Sequence, residues 1–187
     1  MSQLSTFSFK PNDTATNKIL LTFRVGDQIY GLPVPDVIRI IEMVTITPLA
    51  GLPYSIRGVI NVQGKVTSVL DVRRRFGLPE QAYGLHTPII LVDVHQGQQM
   101  MGLVVDEVLN VITVGAADME APETIVPAEI APQILHGMTY LASMAKINRQ
   151  PVPVLHVQAL LSATEQGQLT QALATPGLFA SQELGYE

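Results

Sequence analysis

The chain repeats itself, and that repeat limits its architecture more than any other feature. Laying Gly26–Ile40 over Gly97–Val111, a shift of 71 residues, gives six identities in fifteen positions. They are Gly26/Gly97, Gln28/Gln99, Gly31/Gly102, Leu32/Leu103, Val34/Val105 and Val37/Val108. Most other pairs keep their polarity, as Asp36 does with Glu107 and Ile40 with Val111. Further on, Arg57-Gly58-Val59 is echoed by His136-Gly137-Met138, and Val69-Leu-Asp-Val72 by Val154-Leu-His-Val157. Two copies are too few for a solenoid, so the pattern describes one small unit duplicated.

The unit reads as β-structure. Leu21, Phe23 and Val25 alternate with Thr22 and Arg24, the period-two signal of a half-buried strand. Gly26-Asp27 supplies a turn, and Ile29-Tyr-Gly-Leu-Pro-Val34 returns as a second strand. Val37-Ile-Arg-Ile-Ile41 is short and β-branched, which argues against a helix. Pro48 to Pro53 reads as a loop. Ile56–Val62 and Lys65–Leu70 read as another hairpin, broken by Gln63-Gly64. Asp71 is placed to cap a short helical turn, Val72-Arg-Arg-Arg-Phe76, that Gly77 stops. Short strands with frequent turns favour two small β-barrels sharing an interface. A unit of about 70 residues has a marginal core alone, so a common apolar seam is expected between the copies. Residues 1–17 are polar and aperiodic and read as a mobile arm. A helix is expected around Gln168–Leu173, ending before Pro176-Gly177.

Composition narrows the function. Of 187 residues 47% are apolar and 14% charged, the reverse of a disordered chain. No apolar run approaches the roughly 20 residues needed to span a bilayer; Pro88-Ile-Ile-Leu-Val92 and Gly102-Leu-Val-Val105 are strand-sized. Direct membrane insertion is therefore not expected. A net charge of −5 argues against nucleic acid or an anionic membrane as the main partner. The absence of Cys removes disulfide and thiol chemistry and fits a cytoplasmic location, as does a start without a signal-peptide pattern.

Catalytic and metal motifs do not emerge. Gly58 to Gly64-Lys65 has five intervening residues where a phosphate loop has four, and Val66 follows the lysine where a hydroxyl is needed. His86, His95, His136 and His156 lack metal-ligand spacing, so no metal and no cofactor is expected. Asp106 and Glu107 are adjacent, and neighbours on a strand face opposite ways, so they are poorly placed to share a proton. Arg73-Arg74-Arg75 is the one basic cluster; it reads as the exposed face of a short helix pairing with nearby acids. The chain reads as a binding module and not an enzyme. Its many Val, Ile, Leu and Met exceed what two small barrels can hide, so partner-binding apolar patches are expected. Val37–Met43 is either such a patch or a strand covered on both sides.

The run Gly58-Val-Ile-Asn-Val-Gln-Gly-Lys-Val-Thr-Ser-Val-Leu-Asp-Val-Arg-Arg-Arg-Phe-Gly77 resembles the most recognisable segment of the CheW-like chemotaxis adaptors. The family's opening hairpin is matched at Leu20–Val34 and its second-half Gly-x-x-Val-Asp-x-Val at Gly102–Val108. The similarity spans approximately Lys18 to Thr164. It implies two intertwined five-stranded SH3-like barrels, mainly β, with short helices and a C-terminal helix. The implied layout is an arm at 1–17, the CheW-like domain at 18–164 with barrels near 18–82 and 83–164 that exchange strands, and a partly helical tail at 165–187. The implied role is non-catalytic. The adaptor links the cytoplasmic tip of a chemoreceptor to a CheA-type histidine kinase, with self-association in rings beneath receptor arrays at the inner face of the membrane.

Carried over residue by residue, the resemblance puts Val37, Arg39 and Ile40 on the kinase-facing edge. Leu32, Val34, Asn61, Gln63, Gly64 and Val104 fall to the receptor. Gly58, Asp71, Gly102 and Asp106 are the structural motif, although Asp71 fits equally a binding role within the central motif. Two departures stand out. Arg39 reverses the family's usual Glu, and Gln63 replaces an Arg, losing a fixed charge and a multidentate donor. These departures keep a second reading open: a scaffold of the same fold that binds a different signalling partner.

Overall fold

The computed structural model describes residues 17–95, 97–122 and 138–174. The expected arm, the echo residues His136 and Gly137, and the end of the tail lie outside them.

Eleven strands are defined among the described residues: β1 Lys18–Val25, β2 Gln28–Pro33, β3 Val37–Glu42, β4 Ile56–Val62, β5 Lys65–Asp71, β6 Pro88–Asp93, β7 Met100–Val104, β8 Glu107–Val114, β9 Met119–Glu120, β10 Leu141–Ile147 and β11 Gln150–Leu155. A short helix α1 spans Val72–Arg75, and α2 spans Ala163–Leu173. The strands form one six-stranded sheet, β8-β1-β2-β11-β10-β9, and one five-stranded sheet, β3-β6-β7-β5-β4. The sixth strand of the larger sheet is the two-residue β9, so each sheet has the same five-stranded frame.

The two frames show how the duplication folds. In each, the first hairpin of one half is flanked by the third, fourth and fifth strands of the other half. Thus β1-β2 sits among β8, β10 and β11, and β6-β7 sits among β3, β4 and β5. The parallel contacts correspond as well, with Val154 beside Gly31 and Val69 beside Gly102. Both last hairpins carry a bulge at the same place, between Ile56 and Gly58 and between Leu141 and Ser143. The counterpart of Gly58 in this register is therefore Ser143. The chain is a mainly β pair of SH3-like barrels whose hairpins are exchanged.

Hairpin exchange explains the continuous apolar runs. In β6, Ile89 and Leu91 point into one barrel with Val69 and Val104, while Ile90 and Val92 point into the shared seam. A strand buried on both faces needs apolar residues at every position, not every second one. The seam is the largest core cluster, and it joins Phe23, Val25 and Leu32 of one sheet to Ile90, Met101 and Leu103 of the other. The other barrel's interior is small: Leu20, Val114, Ala145 and Val154. Neither barrel interior alone matches the seam, so the two halves stabilise each other.

An aromatic row crosses the seam's end, Phe23–Tyr30–Phe76–Tyr140, with ring centroids 5.9, 4.9 and 4.8 Å apart. Helix α2 begins earlier than its apolar pattern suggested. Ser162 and Glu165 form a reciprocal capping box, the Ser162 hydroxyl accepting from the Glu165 N–H and the Glu165 carboxylate from the Ser162 N–H. Leu169 and Leu173 then pack on the seam.

Candidate functional site

Strand β3 ends its sheet, and β6 is its only strand partner among the described residues. Pairing passes from Val37↔Val92 to Arg39↔Leu91, so Ile38 is an extra, bulged residue. A bulge re-aims side chains that would otherwise alternate, and Ile38, Arg39 and Ile40 are all exposed in succession. Ile38 is 50% and Ile40 44% exposed. Val37 is half-buried against the seam and anchors the strand. The open alternative for Val37–Met43, a strand covered on both sides, is thereby removed.

Beside β3 lies an open depression of about 350 Å³. Ile38 and Arg39 line one wall, Val62, Gln63 and Lys65 of the β4–β5 hairpin another, and Asp93 with Gly97 to Met100 the third. Arg39 and Gln63, the two departures that change charge relative to the family pattern, both line this depression.

The β4–β5 turn is held locally. Gln63 and Gly64 both have positive φ, 53° and 82°, the two-residue turn whose twist suits a hairpin. The Asn61 side chain accepts from the Gly64 N–H at 2.7 Å. Asn61, Gln63 and Gly64 are all exposed. Gln63 of this turn shares the depression with Arg39, and neither Leu32 nor Val104 lines it. Leu32 is 0% and Val104 4% exposed, so both side chains serve the core. They offer no surface to a receptor, because each already packs on its own protein. Val34, in the 3-10 turn before β3, is half-buried against the seam.

The structural motif residues each have a physical task. After β3 the chain folds over β4, and Thr47 and Val59 exchange two backbone hydrogen bonds of 2.8 and 2.9 Å. Gly58 lies beneath this crossing with φ +150°, and a Cβ there would sit 2.2 Å from the Thr47 carbonyl oxygen. Gly102 meets Ile89 and Val69 in the barrel interior. Asp71, buried, accepts from the Arg74 N–H at 3.2 Å and from the Tyr83 hydroxyl. Burial and the bond to this carboxylate push the Tyr83 phenol up.

Asp106 lies in the bend between β7 and β8. It accepts from Arg73 Nε at 2.7 Å and Nη2 at 2.6 Å, and from the Gly26 N–H at 2.6 Å. The clamp joins α1, the β1–β2 turn and the start of β8. Burial works to raise the Asp106 carboxyl, but the Arg73 and Gly26 hydrogen bonds outweigh it and hold it below the ordinary aspartate range. Arg74 pairs with Glu80 at 2.8 Å and lies over the Tyr54 ring, and Arg75 lies over Tyr140. Arg73 and Arg74 thus pair with nearby acids as expected while Arg75 packs on a ring, and all three are half-buried and hold the fold together instead of forming a free basic face.

Among the described residues no group of three or more His, Asp or Glu side chains could hold a metal. No described helix is long and apolar enough to cross a membrane. What the site presents is a β edge, two exposed isoleucines and an open depression lined by Arg39, Lys65 and Asp93.

The CheW-like domain family matches residues 20–165. The chain belongs to the CheW family. It is 27% identical over 166 residues to the chemotaxis protein CheW of Klebsiella aerogenes, covering 88% of this chain and 93% of that protein. It is 29% identical over 144 residues to protein FrzA of Myxococcus xanthus, covering 77% and 85%. The crystal structure of the scaffolding protein TtCheW from Thermoanaerobacter tengcongensis matches with a TM-score of 0.67 at 26% identity, covering 80% of this chain and 96% of that one. The CheW family consists of non-catalytic adaptors of chemotaxis, and that is the class of this chain. Lys65, which lines the depression, was not singled out as a contact residue in the sequence, and Ile38 was covered there only within the Val37–Met43 stretch. Their signals were weak: a lysine beside a hairpin glycine, and one isoleucine among four β-branched residues that flank Arg39.

Proposed function

We propose that this CheW-family chain couples a chemoreceptor to a CheA-type histidine kinase. The observation that carries the reading is β3: a sheet-edge strand anchored through Val37 that leaves Ile38 and Ile40 open to solvent. A kinase domain packing on this edge would cover apolar area and satisfy free backbone groups together. The exposed β4–β5 turn, with Asn61, Gln63 and Gly64, is the proposed receptor contact. It takes the place of the buried Leu32 and Val104, and Val34 contributes only through packing.

Both contacts border one depression. A receptor movement against the hairpin wall changes the space beside Arg39, where the kinase would sit. That adjacency gives coupling a physical route, since the adaptor transmits only as much free energy as its two contacts share. In this reading the chain works beneath receptor arrays at the inner face of the membrane.

Co-sedimentation tests it. Receptor-bearing membranes should pull down a full-length CheA-type kinase only when this chain is added. Recovery of neither receptor nor kinase would favour the second reading, a CheW-fold scaffold for another partner, which Arg39 and Gln63 motivate.

A further inference from the structure

Among the described residues, six of the ten cations have an ion-pair or ring partner. Arg24, Arg57, Arg73, Arg74 and Lys146 each pair with a carboxylate, and Arg75 lies over an aromatic ring. Lys18, Arg39, Lys65 and Arg149 have no ion pair among the described residues, and of these Arg39 and Lys65 line the same depression. The one acid there, Asp93, accepts from the backbone N–H groups of His95 and Gly97 and makes no ion pair with either cation, so the lining keeps one net positive charge. Asn61 likewise spends its side-chain oxygen on Gly64. Two unpaired cations therefore face an open space next to a free strand edge and an exposed isoleucine.

We infer that this depression takes the carboxylate of an Asp or Glu side chain carried on an extended segment of the partner, laid along β3. The inference rests on the reading of β3 as the partner-binding edge. The backbone of the segment would add to the sheet, and its apolar neighbours would cover Ile38 and Ile40. Its acid would pair directly with Arg39 and Lys65 and balance the one positive charge by which they exceed Asp93. Arg39 in particular can bind a carboxylate through two parallel hydrogen bonds, which makes the contact selective as well as attractive. A nucleic-acid occupant fits poorly, because two cations on a chain of net charge −5 cannot follow a phosphate backbone. The site is thus a specificity element, admitting partners with an acid at this point and rejecting those with a cation.

The test uses the whole chain labelled with 15N and three blocked pentapeptides, Thr-Val-Glu-Val-Thr and its central Gln and Lys counterparts. The Glu peptide should shift the Ile38, Arg39 and Ile40 amides saturably. It should bind at least tenfold more tightly than the Gln peptide, with the preference lost in Arg39→Met and in 0.5 M salt. Equal binding of the Glu and Lys peptides, or no shift along β3, overturns the proposal. So does a shift of the same amides on raising protein concentration alone, which would make a second copy the occupant. Full-length CheA-type kinase is titrated in parallel with wild type and Arg39→Glu. Glu-peptide selectivity without kinase binding sustains the acidic-segment site and removes the kinase reading. Kinase binding indifferent to Arg39→Glu, with no peptide selectivity, does the reverse.

Discussion

Truncating the outer face of β3, Ile38→Ala with Ile40→Ala, separates an interface from a core. Fully burying an isoleucine contributes about 1.5–3 kcal/mol. Ile38 and Ile40 are 50% and 44% exposed, so roughly half of that, about 1 kcal/mol each, remains for a partner that covers them. Losing about 2 kcal/mol at 1.4 kcal/mol per decade weakens binding about 30-fold. The inner halves of the same side chains set a comparable limit of about 2 kcal/mol on the loss of folding stability. Leu32→Ala is the control. It lies 0% exposed in the seam, so it should cost about 2–5 kcal/mol of stability while the folded fraction keeps its affinity. Isothermal titration of full-length CheA-type kinase, with urea unfolding of each variant, gives both quantities. A double variant that binds within threefold of wild type would refute the assignment of β3 as the contact edge.

Three further changes probe the frame that presents this edge. Gly58→Ala forces a Cβ into the Thr47 carbonyl and should cost about 3 kcal/mol, from two backbone hydrogen bonds and a positive φ; urea unfolding with a loss below 1 kcal/mol would contradict it. Asp106→Asn should cost about 1–2 kcal/mol near neutral pH through the weakened Arg73 and Gly26 bonds. The folded carboxyl lies below its unfolded value of about 3.9, so the clamp is fully present above that pH and is lost as pH falls through the folded value. The stability gap between wild type and Asp106→Asn should therefore narrow as pH falls below about 4, and an unchanged gap would show that the charge is irrelevant. Arg149→Gly should stabilise the chain by about 0.5–1 kcal/mol. Asn148 and Arg149 both have positive φ, 51° and 66°, which costs an L-residue about 1–2 kcal/mol, offset partly by the greater freedom of glycine when unfolded. A lower melting temperature would refute this.

How much of this was legible depended on which forces acted locally. The β1–β2 and β4–β5 hairpins were readable because period-two patterns and Gln63-Gly64 act within a few residues. The duplication also showed, since Gly31 and Gly102 repeat the same contact beside Val154 and Val69. The β3 bulge was not readable. It arises from a register between β3 and β6, some fifty residues apart, and it alone decides that Ile38, Arg39 and Ile40 face outward together. Leu32 and Val104 looked like contact residues because hairpin exchange, a tertiary event, is what covers them. The Arg73–Asp106 clamp spans 33 residues and joins parts of both halves, so three adjacent arginines read as a surface feature. Helix α2 was placed too late because its apolar positions come after its first turn, whereas its start is set by the polar pair Ser162 and Glu165.

The most direct measurement is the autophosphorylation rate of a CheA-type kinase with receptor-bearing membranes, with and without this chain, before and after attractant. The account expects a several-fold rise that attractant reverses, seen only when all three proteins are present. A rate that is the same whether or not the chain is added would contradict it.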